Sequence, residues 1–156
     1  MPFLKAFAAA FFLISASPLL YAQQVQEIEA GGSLKTDDGK QYVLAGIRLP
    51  EESLPLVSLL LAGKTITSEK DSKAAPDHAG TETVYLYVDA KEILFPFKTS
   101  AARNSKILVN RFLVEIGAAS VLESDFEKRP DFLAVQETAR DKGEGIWSYD
   151  TAETPK

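Results

Sequence analysis

The chain has 156 residues, with 17 Lys+Arg against 22 Asp+Glu and no cysteine. That length suits one domain with a proper core, and the lack of cysteine excludes disulfides and thiolate chemistry. A formal net charge of −5 argues against a protein that grips nucleic acid over a broad surface, because a phosphate backbone is normally held by a basic field that releases its counterions.

In chain order, Met1 to Lys5 form a short positive stretch and Ala6 to Ile14 are apolar. Leu20-Tyr21-Ala22 ends in the small-residue pattern that signal peptidases cut. Residues 1–22 are therefore predicted to be a signal peptide, with a mature start at Gln23 and a periplasmic or secreted destination. An uncleaved anchor is the weaker reading, since Ser15, Ser17 and Pro18 interrupt the apolar run. With no cysteine after the run, lipoprotein anchoring is excluded, so no membrane attachment is expected after cleavage. The mature chain keeps 16 Lys+Arg against 22 Asp+Glu, a net charge of −6.

Val25 to Thr36 and Gln41 to Arg48 read as short extended segments around the turn Thr36-Asp37-Asp38-Gly39-Lys40, where Asp and Gly suit a hairpin. Asp37 and Asp38 suggest a metal site, but turn chemistry explains them more simply. Leu54, Val57, Leu60 and Leu61 recur at helical spacing, and Pro55 is acceptable in a first turn. Lys64 to Glu69 reads as a strand. Lys70 to Gly80 is polar and turn-rich and holds the only histidine, His78, best read as solvent-exposed. Thr81 to Asp89 alternates as a strand does.

Val109, Phe112, Leu113 and Ile116 predict a second helix ending at Gly117. A third starts at Pro130 and stops at Gly143. The domain is placed at 23–150 and a disordered tail at 151–156. Strands first and helices last indicate an α+β arrangement.

Three blocks carry a resemblance. Gly31 to Glu51 reads G-G-S-L-K-T-D-D-G-K-Q-Y-V-L-A-G-I-R-L-P-E. Val109-Asn110-x-x-Leu113-Val114-x-x-Gly117-x-Ala119-x-Val121 is the second, and Ala134 through Ala139-Arg140 to Gly143-x-Gly145-Ile146-Trp147 the third. Together they resemble the staphylococcal-nuclease (thermonuclease) family, whose first block runs roughly G-D-T-L-x-L-x-D-G-x-x-V-R-L-A-G-I-D-A-P-E. The resemblance implies a small OB-fold β-barrel flanked by about three helices. It also implies a phosphodiesterase site with two metal-binding Asp, two phosphate-binding Arg and a catalytic Glu.

Residue by residue, the first Asp position is Gly32, the Arg positions are Val43 and Thr81, the second Asp position is Arg48, and only the Glu remains, as Glu51. Hydrolysis of this kind uses a hard cation held by several oxygens and guanidinium forks on the phosphate. Four of those five groups are absent here, so a catalytically inactive homologue with a binding or structural role is expected. No cofactor is expected; calcium enters only under the alternative of a divergent active nuclease on DNA or RNA, drawing on Asp77 or Asp89. Glu51 is read as structural, close enough to Arg48 for a local ion pair. Nucleic acid is a partner by resemblance only, and the acidic balance disfavours it. Trp147, Tyr85 and Tyr87 could stack bases, although packing is the better reading of Trp147.

The largest departure from the family pattern is an insertion from Ala90 to Leu108. Its stretch Lys91 to Ser105 carries Leu94, Phe95 and Phe97 around Pro96. Phe95 and Phe97 are a candidate surface for a protein partner, which would make the chain an adaptor, or else a lid over the core.

Overall fold

One long strand organises the sheet. A computed structural model describes residues 23–74, 81–93, 102–103 and 105–148. The strands are β1 (Gln23–Glu29), β2 (Ser33–Thr36), β3 (Gln41–Leu44), β4 (Ile47–Arg48), β5 (Thr65–Lys70), β6 (Thr81–Asp89), β7 (Ala102–Arg103), β8 (Lys106–Leu108) and β9 (Ser120–Val121). The helices are α1 (Leu54–Leu61), α2 (Val109–Glu115) and α3 (Arg129–Asp141). The predicted signal peptide, His78, Asp77, Phe95, Phe97 and the tail lie outside the described residues.

Along β6, Val84, Leu86 and Val88 point to one side and are buried with Leu34, Tyr42, Leu44 and Ile66, as a two-residue period requires. Tyr85, on the other face, is buried too, because α3 covers it there. Its ring meets Phe132 edge-on at 6.2 Å, and Phe132 in turn meets Phe126 at 5.4 Å. A strand covered on both faces has no reason to expose an alternating polar side over its central residues.

The expectation of a small OB-fold β-barrel is corrected: the sheet is not a closed barrel. It is seven-stranded in the order β3-β2-β1-β5-β6-β8-β7, with a further β3–β6 pairing. The cause is the length of β6. Its first half, Thr81 to Val84, runs parallel to β3, whereas Tyr87 to Asp89 pairs with β8. The sheet curls until β3 meets β6, then departs along β8 to an edge at β7. The opposite seam is also short, since β1 and β5 share only the pairs Gln23↔Ile66 and Gln24↔Thr65. The α+β class stands, with helices packed on a mainly antiparallel sheet.

Two segments read as continuous are each broken by a glycine in the left-handed region. Gly31 and Gly32, at φ 85° and 92°, end β1 and start β2, which pair antiparallel. The Gly31 N–H donates to the Leu49 carbonyl at 3.0 Å. Ala45-Gly46 likewise separates β3 from β4, freeing Ile47 and Arg48 to pair with Val121 and Ser120 of β9. Neither segment alternates strictly in its residue types, so periodicity marks no break at either glycine.

The helices follow their apolar spacing. α1 buries Val57, Leu60 and Leu61, with Pro55 in its first turn. α2 buries Val109, Phe112 and Leu113, and α3 buries Phe132, Val135 and Ala139. After α3 the chain returns against the end of α2, where the Ile146 N–H donates to the Gly117 carbonyl at 2.9 Å. This backbone-on-backbone approach needs glycine: a Cβ on Gly117 would stand 2.1 Å from the Glu144 carbonyl oxygen. The approach places Trp147 beneath the Arg140 guanidinium, 4.9 Å from its ring. Among the described residues no helix is long and apolar enough to cross a membrane.

Candidate functional site

The five positions singled out by the resemblance sit on and beside β2, β3 and β4. Tyr42 and Leu44 face the core, so Val43 between them faces outward. It pairs with Ser33 of β2 on one side and with Thr83 of β6 on the other. One rung along, Gln41 pairs with Thr81, whose hydroxyl donates to the Gln41 Oε1 at 3.4 Å. Val43 and Thr81 are thus diagonal neighbours across this parallel pairing, on one outer face. That face presents hydroxyls, an amide and a valine, at positions where the resemblance implies two guanidinium groups.

Gly32 closes the same end of the sheet. It is buried, and a Cβ there would lie 3.7 Å from the Leu44 Cβ, 4.0 Å from the Leu49 Cβ and 3.9 Å from the Ile47 carbonyl oxygen. A carboxylate at this position would start in a strained backbone and point among aliphatic groups. Arg48 is exposed on β4 across from Ser120, and Glu51 is exposed at the start of a 3-10 turn, Glu51–Ser53. The Arg48–Glu51 ion pair expected from their spacing does not form among the described residues. Pro50, extended at φ −73° and ψ 156°, carries Glu51 away from Arg48 instead of letting the loop fold back.

These residues do not fit a calcium ion. Glu51 supplies the single carboxylate, Arg48 places a positive charge where a ligand would be, and Gly32 offers no side-chain oxygen. A hard cation needs several oxygens converging at once. Among the described residues, no three His, Cys, Asp or Glu stand together in a way that could hold a metal.

The other candidates are occupied elsewhere. Asp37 and Asp38 serve the β2–β3 turn: Asp37 accepts from the Gln24 N–H at 3.0 Å, and Asp38 accepts from the Thr36 hydroxyl at 2.6 Å and the Lys40 N–H at 3.2 Å. The Thr36 bond is the largest influence on the Asp38 carboxyl and, with the weaker bonds from Gln23 and Lys40, holds it below its usual range against the opposing effect of desolvation. Asp89 accepts from the Lys91 N–H at 2.9 Å. Tyr85 is fully buried, which excludes it as a stacking platform. Burial pushes its hydroxyl well above the usual phenol range, and its oxygen accepts from the Lys128 N–H at 3.2 Å. Tyr87 donates its hydroxyl to Glu69 at 2.8 Å.

One residue that sequence reasoning treated only as part of a motif proves central to the geometry. Asn110 is fully buried. Its Oδ1 accepts from the Leu86 N–H at 2.8 Å, and its Nδ2 donates to the Ala45 carbonyl at 3.0 Å and the Val84 carbonyl at 3.1 Å. It thereby ties α2 to β6 and to the turn that leads into Arg48. An amide side chain directly after Val109, at the start of a helix with an apolar face, was the available signal.

Residues 51–149 match a family model described as "Staphylococcal nuclease homologue". The match begins at Glu51, so it includes Glu51 and Thr81 and leaves Gly32, Val43 and Arg48 before it. No curated protein matches the chain.

Proposed function

The chain belongs to the staphylococcal nuclease homologue family, and from that premise we propose that it is an exported member that has given up hydrolysis and keeps the scaffold for a binding or structural role. The observation that carries this reading is Gly32. Its positive φ and its aliphatic surroundings leave no place for a metal-binding carboxylate, so the loss is built into the local backbone as well as into the residue type. Arg48 supports it from the other side, because a fixed guanidinium repels the cation that phosphodiester cleavage would recruit. Val43 and Thr81 remove both phosphate clamps, and each such positioned group is commonly worth about 10²–10³ in rate. Export rests on the pattern of residues 1–22.

The direct experiment is digestion. The protein starting at Gln23, incubated with single- and double-stranded DNA and RNA in Ca²⁺ or Mg²⁺, is expected to leave all of them intact. Turnover that disappears in Glu51→Ala would return the chain to the active nucleases.

A further inference from the structure

We propose that Gln23 is a latch at the mature N-terminus whose folded geometry blocks its own cyclisation to pyroglutamate. The proposal rests on the export reading for its biological setting, because cleavage after Ala22 is what would make Gln23 terminal. The geometry is independent of that. The Gln23 side-chain amide is bonded at both ends: Nε2 donates to Asp38 Oδ2 at 2.7 Å, and Oε1 accepts from the Tyr42 hydroxyl at 2.7 Å. Its neighbour is held as well, with the Gln24 N–H donating to Asp37 Oδ1 and the Asp37 N–H donating to the Gln24 carbonyl, both at 3.0 Å.

A free N-terminal glutamine cyclises when its α-amine nitrogen attacks its own side-chain Cδ. The new N–Cδ bond closes a lactam, the Cδ–Nε2 bond breaks, and Nε2 leaves as ammonia with a proton from the amine. Here the amide that contains Cδ is held at both ends by Asp38 and Tyr42, so turning it onto the amine competes with both bonds. One of them is to a carboxylate held ionised by Thr36 as well as by Gln23, the stronger kind of hydrogen bond.

The location gives the latch its purpose. β1 joins β5 through two pairs alone, at Gln23 and Gln24, and chain ends fray unless something ties them down. Cyclisation would delete Nε2 and its bond to Asp38, and would reshape the partner of Tyr42. Folding thus protects the residue, and the residue protects the seam.

The test uses the chain beginning at Gln23, made by removing a leader with a sequence-specific protease so that cellular processing plays no part. Intact mass is followed over time for the loss of one ammonia, beside a peptide of residues 23–32 and the same protein unfolded in urea. The folded protein is expected to retain its ammonia while the peptide and the unfolded chain lose theirs. Tyr42→Phe and Asp38→Ala, each confirmed folded by circular dichroism, are expected to cyclise about tenfold faster than wild type, the scale set by one lost hydrogen bond. Cyclisation of the folded wild type at the peptide's rate overturns the latch, as does an unchanged rate in both folded variants. Separately, the exported protein's mass reports its true first residue. A start other than Gln23 would overturn Gln23 as the natural terminus and with it the latch's biological setting.

Discussion

Replacing Asn110 with alanine tests whether a single buried amide holds the sheet, the second helix and the Arg48 turn together. The substitution removes three hydrogen bonds of 2.8, 3.0 and 3.1 Å from a residue with no solvent exposure. The losses are unequal. The Val84 carbonyl keeps the Ala45 N–H at 2.8 Å, whereas the Leu86 N–H and the Ala45 carbonyl lose the amide that satisfied them. Stranding a buried polar group costs about 1–3 kcal/mol, so two of them predict a loss of about 2–6 kcal/mol, a large share of the ~5–15 kcal/mol that a domain possesses. Urea denaturation followed through the fluorescence of Trp147, the one tryptophan, measures it directly. Asn110→Asp is the informative companion, since it keeps an acceptor for Leu86 and loses both donations to carbonyls; it is expected to destabilise at least as much at neutral pH. A loss under about 1 kcal/mol in Asn110→Ala would refute the assignment, because it would mean that water or relaxation satisfies these groups at little cost.

Three further outcomes are expected. Gly117→Ala puts a Cβ 2.1 Å from the Glu144 carbonyl oxygen; it should cost about 2–4 kcal/mol, by analogy with other core overpacking and backbone strain, and shift Trp147 emission, and an unchanged spectrum would show that the 145–147 turn does not depend on this approach. Asp38 has its carboxyl pKa lowered from 3.8, first by the Thr36 hydroxyl. Its contribution is therefore present above the unfolded pKa and lost as pH falls through the folded one, so Asp38→Asn should flatten the acid limb of the stability profile below about pH 4, the unperturbed Asp range, and superimposable limbs would count against it. Millimolar Ca²⁺ should leave the melting temperature unchanged, since any ligand confined to the native state raises it; a rise that vanishes in Glu51→Ala would reveal a metal site.

The periodic parts of the fold were legible in the residues. Leu54, Val57, Leu60 and Leu61, then Val109, Phe112 and Leu113, then Phe132, Val135 and Ala139 each mark one face of a helix. Burial of one face is a property that spacing alone can encode. Which side chains stand at Gly32, Val43, Arg48 and Thr81 was equally plain, and that they replace catalytic groups rests on the resemblance alone. The breaks at Gly31-Gly32 and Ala45-Gly46 were not read, since a glycine by itself does not announce which sign its φ will take.

What only the tertiary structure decided was how the pieces close on one another. β6 spends its first half on β3 and its last rungs on β8, and this turned an expected barrel into a seven-stranded sheet with an edge. Strand partners far apart in the chain are set by competition among edges, and no local pattern records who wins. The same holds for Asn110, whose three partners are 24, 26 and 65 residues away, and for Arg48 and Glu51, three residues apart yet unpaired because Pro50 directs the chain between them. The sequence by itself determined which side chains are present and which faces of its helices are apolar. The directions in which the polar groups finally point were determined by packing, because a hydrogen bond requires two groups to meet and the chain brings distant groups together only when it folds.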